Sequence, residues 1–402
     1  MKHYHHIVPK ALRSLLVALL LFSAVSCCDK PEPDTQIQLS VLIYIAADNS
    51  LGKYRDDYAN IEQLKQGFLP SNGNIVVYHD AYDAPPRLFR LVKGSDGAVD
   101  EELIEQYPEE NSADPQVLTR SLILLRDRFP ANDYGLILWS HGTGWLPKGE
   151  YSKYYNAVNN YPSSGMVPLM ASDQPRVKSF GEDGNDVMEI EALAASIPYR
   201  LSFVIFDACL MGGIEVAYAM RHTADYIVAS PTEIITDGFP YHHIMQPLFE
   251  QTPNLKAVCN AFYNYYNDKS GSWKSATIAL YHTEGLTSLA ATVRSIFDAH
   301  RETLNAFVPH RDLIQCYDRL SPGIFFDLAH FISIIATPAE YSAFESELSK
   351  TVIHKRATPM FLTIPIDPDR YSGVAAYIPN GLLTTRQAFR ETEWNRAVRL
   401  ME

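Results

Sequence analysis

Apolar residues along the chain gather in short, nearly uninterrupted runs separated by longer amphipathic stretches. Leu39 to Asp48 is almost continuously β-branched and apolar, and Asn74 to Asp80 and Arg87 to Val92 follow as further strands. Runs of this length suit strands buried on both faces. Between the first two, Tyr58, Ile61 and Leu64 recur at helical spacing. Asp114 and Pro115 open a helix with Leu118, Leu122, Leu125 and Phe129 along one face, where Asp caps and Pro fits the first turn. Tyr134 to His141 and Leu201 to Cys209 predict strands that stop at polar residues, as does Asp225 to Ser230 after a helix holding Ile214, Val216 and Met220. Beyond residue 250 the pattern predicts helices over 254–267, 285–306, 324–335 and 338–352, with strands at 276–281, 359–366 and 373–378. Strands alternating with helices predict an α/β fold with a mostly parallel central sheet covered on both faces. In such sheets ligand sites lie outside the carboxyl ends of the strands, so the polar residues at run ends are where chemistry is expected.

The remaining segments set the organisation. Lys2, Lys10 and Arg13 precede an apolar run, Leu15 to Val25, so residues 1–26 read as a secretory signal and 27–38 as a polar, proline-bearing tether. Ala24-Val25-Ser26-Cys27 looks like a bacterial lipoprotein cleavage box, which makes Cys27 the expected lipidation site and a lipid anchor in the cell envelope, or simple secretion, the expected localisation. Residues 39–250 are expected to form the core and 251–402 a C-terminal α/β extension. From about Gly142 to Asn185 the chain is rich in Ser, Pro, Tyr, Asn and Gly without periodicity, as functional loops, lids and cleavable linkers are.

Charge and cysteine content narrow the function classes. The chain has 402 residues with 34 Lys and Arg against 47 Asp and Glu, a net charge of −13, and no basic block. Nucleic acid and anionic membrane surfaces are therefore not expected partners, because phosphate binding needs clustered Lys and Arg. Five cysteines, two of them in the tether, are too few for a disulfide framework, so packing must hold the core. Cys259, at helical spacing in an apolar segment, reads as a buried small hydrophobe.

Two strand ends carry reactive side chains: Trp139-Ser140-His141-Gly142 and Phe206-Asp207-Ala208-Cys209. A thiol with an unperturbed pKa of about 8.5 is only a few per cent ionised near neutrality, and a neighbouring imidazole supplies the base. Adjacent strand ends can provide that pair without proximity in sequence. Gly142 lets a backbone amide approach a substrate carbonyl, and the Cys209 amide is the second expected oxyanion donor. No Gly-x-Ser-x-Gly elbow, His-Glu-x-x-His or Cys-x-x-Cys occurs, and Gly142-Thr143-Gly144 lacks the continuation of a phosphate loop.

With these strand ends, Met211 to Tyr218, Ala224 to Ser230 and Tyr44 to Asn49, the chain resembles the clostripain family of cysteine peptidases, within the larger caspase and gingipain clan. The resemblance implies a caspase-like α/β/α sandwich, a polypeptide substrate, Cys209 as nucleophile and His141 as its partner. It also implies cleavage after Arg or Lys, with Asp207 and an acid in the loop after Ser230 in the specificity pocket. Asp237 is the preferred candidate there and Glu233 the alternative. Family members are often activated by internal cleavage, for which Lys148, Lys153, Arg176 and Lys178 are the available basic residues. The resemblance allows calcium, but no EF-hand loop is present and no metal ligand is assigned. The competing reading is an inactive lipoprotein that holds a peptide or glycan in the same cleft. The oligomeric state is not legible.

Overall fold

β1 (Leu39–Ala47) is buried along its whole length. It pairs in parallel with β2 (Gly73–Ala81) on one side and β5 (Asp133–Trp139) on the other. β6 (Leu201–Asp207) and β7 (Ala224–Ala229) continue the parallel row beyond β5. Antiparallel strands finish both sides: β3 (Ala84–Lys93) and β4 (Val99–Gln106) beyond β2, and β8 (Thr277–His282) and β10 (Val352–Ala357) beyond β7. The nine-stranded order is β10-β8-β7-β6-β5-β1-β2-β3-β4. The mostly parallel α/β sheet expected from the apolar runs is thus present, and strands from beyond residue 250 extend it. Two short antiparallel ladders lie apart, β9 (Phe325–Asp327) with β13 (Ala375–Tyr377) and β11 (Met360–Phe361) with β12 (Ile364–Pro365).

The computed structural model describes Met1 and residues 37–69, 73–151, 183, 186–379 and 381–402. The signal segment, nearly all of the tether with Cys27, and Lys153, Arg176 and Lys178 lie outside the described residues.

Short helices α1 (Ser50–Lys53), α2 (Asp56–Gln66), α3 (Pro115–Arg128), α4 (Ile190–Ser196) and α5 (Ile214–Ala219) connect the parallel strands. They are followed by α6 (Tyr241–Leu248), α7 (Leu255–Asn267), α8 (Leu286–Ala299), α9 (Arg301–Ala306), α10 (Leu328–Ile335), α11 (Pro338–Thr351), α12 (Leu383–Glu391) and α13 (Glu393–Val398). One helical layer runs α2, α6, α7, and the other runs α3, α4, α5, α13, α8, α11, each helix touching the next. The sheet between them is dry: Leu136 to Trp139 and Phe203 to Phe206 are all essentially inaccessible. Each such side chain contributes roughly 1.5–3 kcal/mol of burial.

The differences from the sequence reading have common causes. β4, Val-Asp-Glu-Glu-Leu-Ile-Glu-Gln, is too charged to read as a strand. It lies at the sheet edge, where Glu101 pairs with Arg87 and Lys65 and Glu102 with Arg90, and a charged edge resists pairing with other chains. β10, Val-Ile-His-Lys-Arg-Ala, is the opposite edge and was equally hidden. The helix expected over 285–306 breaks at His300 into α8 and α9. The one expected from 324 begins at Leu328 instead, because Phe325–Asp327 is β9 and Asp327 caps α10 by accepting from the His330 amide at 2.8 Å. Cys209, Cys259 and Cys316 are all buried free thiols.

Gly212, just after β6, donates its amide to Ser230 O at 2.8 Å and accepts from Ala375 N at 2.9 Å. A Cβ there would lie 2.4 Å from Pro231 N and 2.6 Å from Ser230 C, backbone atoms that cannot rotate away. Gly212→Ala is therefore expected to cost about 1–3 kcal/mol through overpacking, measured as a lower midpoint of urea unfolding.

Candidate active site

The ladder between β5 and β6 pairs Trp139 with Asp207. His141 and Cys209 each follow two residues after these paired positions, just past the ends of the neighbouring parallel strands β5 and β6. β1 lies on the other side of β5, with Ile45 opposite Trp139. The Ala46 carbonyl there accepts from Ser140 Oγ at 2.9 Å and Asn49 Nδ2 at 3.0 Å, while Asn49 Oδ1 caps α1 by accepting from Leu51 N at 2.9 Å. This turn sets Ser50 Oγ 2.7 Å from His141 Nε2.

Cys209 is inaccessible and His141 only 6% exposed. The Ile234 amide donates to Cys209 Sγ at 3.0 Å, and the Ile234 carbonyl lies 3.6 Å from the sulfur. Leu210 N donates to Thr232 O at 2.9 Å, and the Ser230, Thr232 and Thr277 hydroxyls bond one another around the same loop. Leu210 itself sits at φ 61°, a left-handed conformation that costs a non-glycine residue roughly 1–2 kcal/mol.

The three carboxylates expected to recognise substrate are buried or half-buried and all hydrogen-bonded. Asp207 is inaccessible and accepts from Tyr241 OH at 2.9 Å and Phe239 N at 3.2 Å. Burial, with the Asp207 charge, holds the Tyr241 phenol protonated, so it serves as a donor. Glu233 is gripped by Arg319 in a bidentate pair, Nε at 2.8 Å and Nη2 at 2.9 Å, and also accepts from Tyr151 OH at 3.0 Å. Asp237 accepts from Lys269 Nζ and Tyr265 OH, both at 3.0 Å. Neither loop acid is a solvated surface charge. Gly142, the other expected oxyanion donor, is buried directly after His141.

Residues absent from the sequence reading also belong here. Burial, then the Glu233 and Cys209 charges, holds the Tyr151 phenol protonated. In the same segment Glu150 accepts from Thr384 Oγ1 at 2.9 Å and Trp145 packs on Tyr377 and Phe389. Ser50, Ile234 and Arg319 carried no motif that could single them out. The rings of His242 and His243 lie 4.0 Å apart, tilted by 47°, and among the described residues no three His, Cys, Asp or Glu side chains converge as metal ligands.

A mostly parallel sheet between two helical layers, with cysteine and histidine at matched ends of neighbouring strands, defines a caspase-like α/β protein. The chain belongs to the clostripain family of cysteine peptidases, which matches residues 43–161 and 168–362. It is 25% identical over 235 residues to clostripain of Hathewaya histolytica, an overlap of 52% of this chain and 41% of clostripain, so it spans less than half the length of that relative. The structure of an inactive zymogen C11 protease from Parabacteroides distasonis is similar at a TM-score of 0.75 and 33% identity, over 90% of this chain and 98% of that one. That of a secreted C11 cysteine protease from Bacteroides thetaiotaomicron, in complex with an irreversible peptide inhibitor, gives 0.72 and 25%, over 90% and 99%.

An acidic group beside the site makes stability depend on pH. Asp80, buried at the end of β2, has its carboxyl pushed up to about 8 by burial and the Asp183 and Glu109 charges, against the opposing Ser112 hydroxyl. The unfolded chain releases this proton near pH 4 and the folded chain keeps it to about pH 8, so the group's contribution to stability falls as pH rises across that window. Asp80→Asn should therefore gain stability relative to wild type progressively from about pH 4 to about pH 8 and no further, as read by unfolding temperature against pH.

Proposed function

We propose that this chain is a cysteine endopeptidase in which Cys209 and His141 act as a dyad. The observation that supports it is the β5–β6 register: Trp139 pairs with Asp207, and His141 and Cys209 each stand two residues beyond these positions, just past neighbouring strand ends. His141 takes the proton from the Cys209 thiol, the thiolate forms a bond to the peptide carbonyl carbon, and the carbonyl oxygen becomes an oxyanion facing the Gly142 and Cys209 amides. Collapse breaks the C–N bond, the amine leaves with the proton from His141, and water completes hydrolysis of the thioester.

Cleavage after Arg or Lys is the specificity this reading carries. Its support is chemical: Arg319 binds Glu233 with the bidentate geometry a substrate guanidinium would use, and Lys269 already satisfies Asp237. A substrate cation must displace or share these partners, with Asp207 as the buried carboxylate behind them. The inaccessible Cys209 belongs to a closed form, in which Tyr151 caps the Glu233 loop. Attachment to the cell envelope through Cys27 completes the reading, since acyl chains supply membrane affinity. Among the described residues no helix is long and apolar enough to cross a membrane.

Cys209→Ala is expected to abolish hydrolysis of Arg and Lys peptides and His141→Ala to lower it by about 10³-fold or more, with near-UV circular dichroism unchanged in both. Turnover in purified Cys209→Ala protein would overturn the mechanism. Labelling of wild type by peptide electrophiles across an Arg, Lys, Asn, Asp and Leu panel separates a peptidase from an inert peptide- or glycan-binding protein, which would leave Cys209 unlabelled by all.

The specificity assignment has its own measurement. Asp237→Ala and Glu233→Ala are expected to lower the ratio of basic to neutral substrate turnover, and an unchanged ratio in both would remove these carboxylates from the pocket.

A further inference from the structure

Ser50, which the dyad does not include, reaches the histidine from the β1 side, and Asn49 and Ser140 tie its turn to the same strand end. Asn49 and Ser140 share one acceptor, the Ala46 carbonyl, so the end of β5 that carries His141 is tied to the turn that carries Ser50. The turn is tight: a Cβ on Gly52 would lie 2.0 Å from Ala47 O, and Asn49 N donates to that same oxygen at 2.7 Å. A fixed turn and a fixed strand end leave the 2.7 Å contact between Ser50 Oγ and His141 Nε2 little freedom.

We propose that Ser50 is the positioning residue of the imidazole, its hydroxyl holding Nε2 so that Nδ1 is the nitrogen that exchanges the proton with Cys209. The inference rests on the reading of His141 as the base of the dyad. An imidazole is a base at only one nitrogen in its neutral form, and the hydrogen bond at the other decides which. With Oγ accepting from Nε2–H, the lone pair is at Nδ1. When Nδ1 takes the thiol proton, Nε2 keeps its hydrogen and Oγ remains its acceptor, so proton transfer demands no rearrangement on the Ser50 side. The hydroxyl then faces a cationic ring, and hydrogen bonds to charged groups are the stronger kind. Asn49 and Ser140 support this through the Ala46 carbonyl, to which both donate.

Ser50 is exposed and occupies the first position of α1, so alanine there removes the hydroxyl without opening the core. In the full-length protein, with a fluorogenic Arg or Lys peptide, Ser50→Ala is expected to lower kcat about tenfold, the size of one charge-assisted hydrogen bond, with KM and unfolding temperature unchanged. Ser50→Thr keeps the hydroxyl and should recover most of the loss. A Ser50→Ala enzyme with wild-type kcat, while His141→Ala is inactive, would overturn the proposal and leave the dyad standing. A loss in Ser50→Ala that Ser50→Thr does not recover would likewise overturn it, because the hydroxyl would then not be the cause. Full turnover in His141→Ala or Cys209→Ala would instead remove the dyad, and this proposal with it.

Discussion

The hydrogen-bonded register of the central parallel strands is the constraint on which the rest of this site depends. Trp139 faces Asp207 across β5 and β6, and Ile45 faces Trp139 across β1 and β5. A shift of one residue in either ladder would turn every buried side chain to the opposite face. Since both faces of the sheet are covered, no other register is affordable. The positions of His141 and Cys209 just past neighbouring strand ends, and of the β1 turn against His141, follow from it, so the site inherits its geometry from the core.

Around that frame the polar chemistry is dominated by desolvation. A carboxylate taken out of water must find donors or a cation, and each acid near Cys209 has done so: Asp207 through a phenol and an amide, Glu233 through Arg319 and Tyr151, Asp237 through Lys269 and Tyr265. These are compact arrangements in which each carboxylate is fully partnered. Asp80, buried beside the Asp183 and Glu109 charges, responds differently, and burial raises its carboxyl.

The burial of the thiol has the same origin in backbone pairing. Leu210 and Gly212 run alongside Ser230 and Thr232, and the loop continues to Ile234, whose amide and carbonyl both face the sulfur. The strained Leu210 backbone persists because these bonds over-determine it. Tyr151, reaching Glu233 from the segment after His141, ties the same loop to the part of the chain that leads away from the other strand end.

Much of this was legible in the residues alone. Strands buried on both faces must be apolar throughout, so β1, β5, β6 and β7 and the polar residues ending them, His141 and Cys209 among them, stood out, and with them the α/β class. The edge strands β4 and β10 did not, because an edge is half solvated and tolerates charge, which erases the apolar signal. Nor did the partners of the site residues: Ser50 lies 91 positions from His141, and Arg319 lies 86 from Glu233. The sequence by itself determined which segments would be buried and where they would stop. Only the tertiary structure decided which donor or cation each buried polar group would meet, because that depends on the packing of segments far apart in the chain, and no local pattern records it.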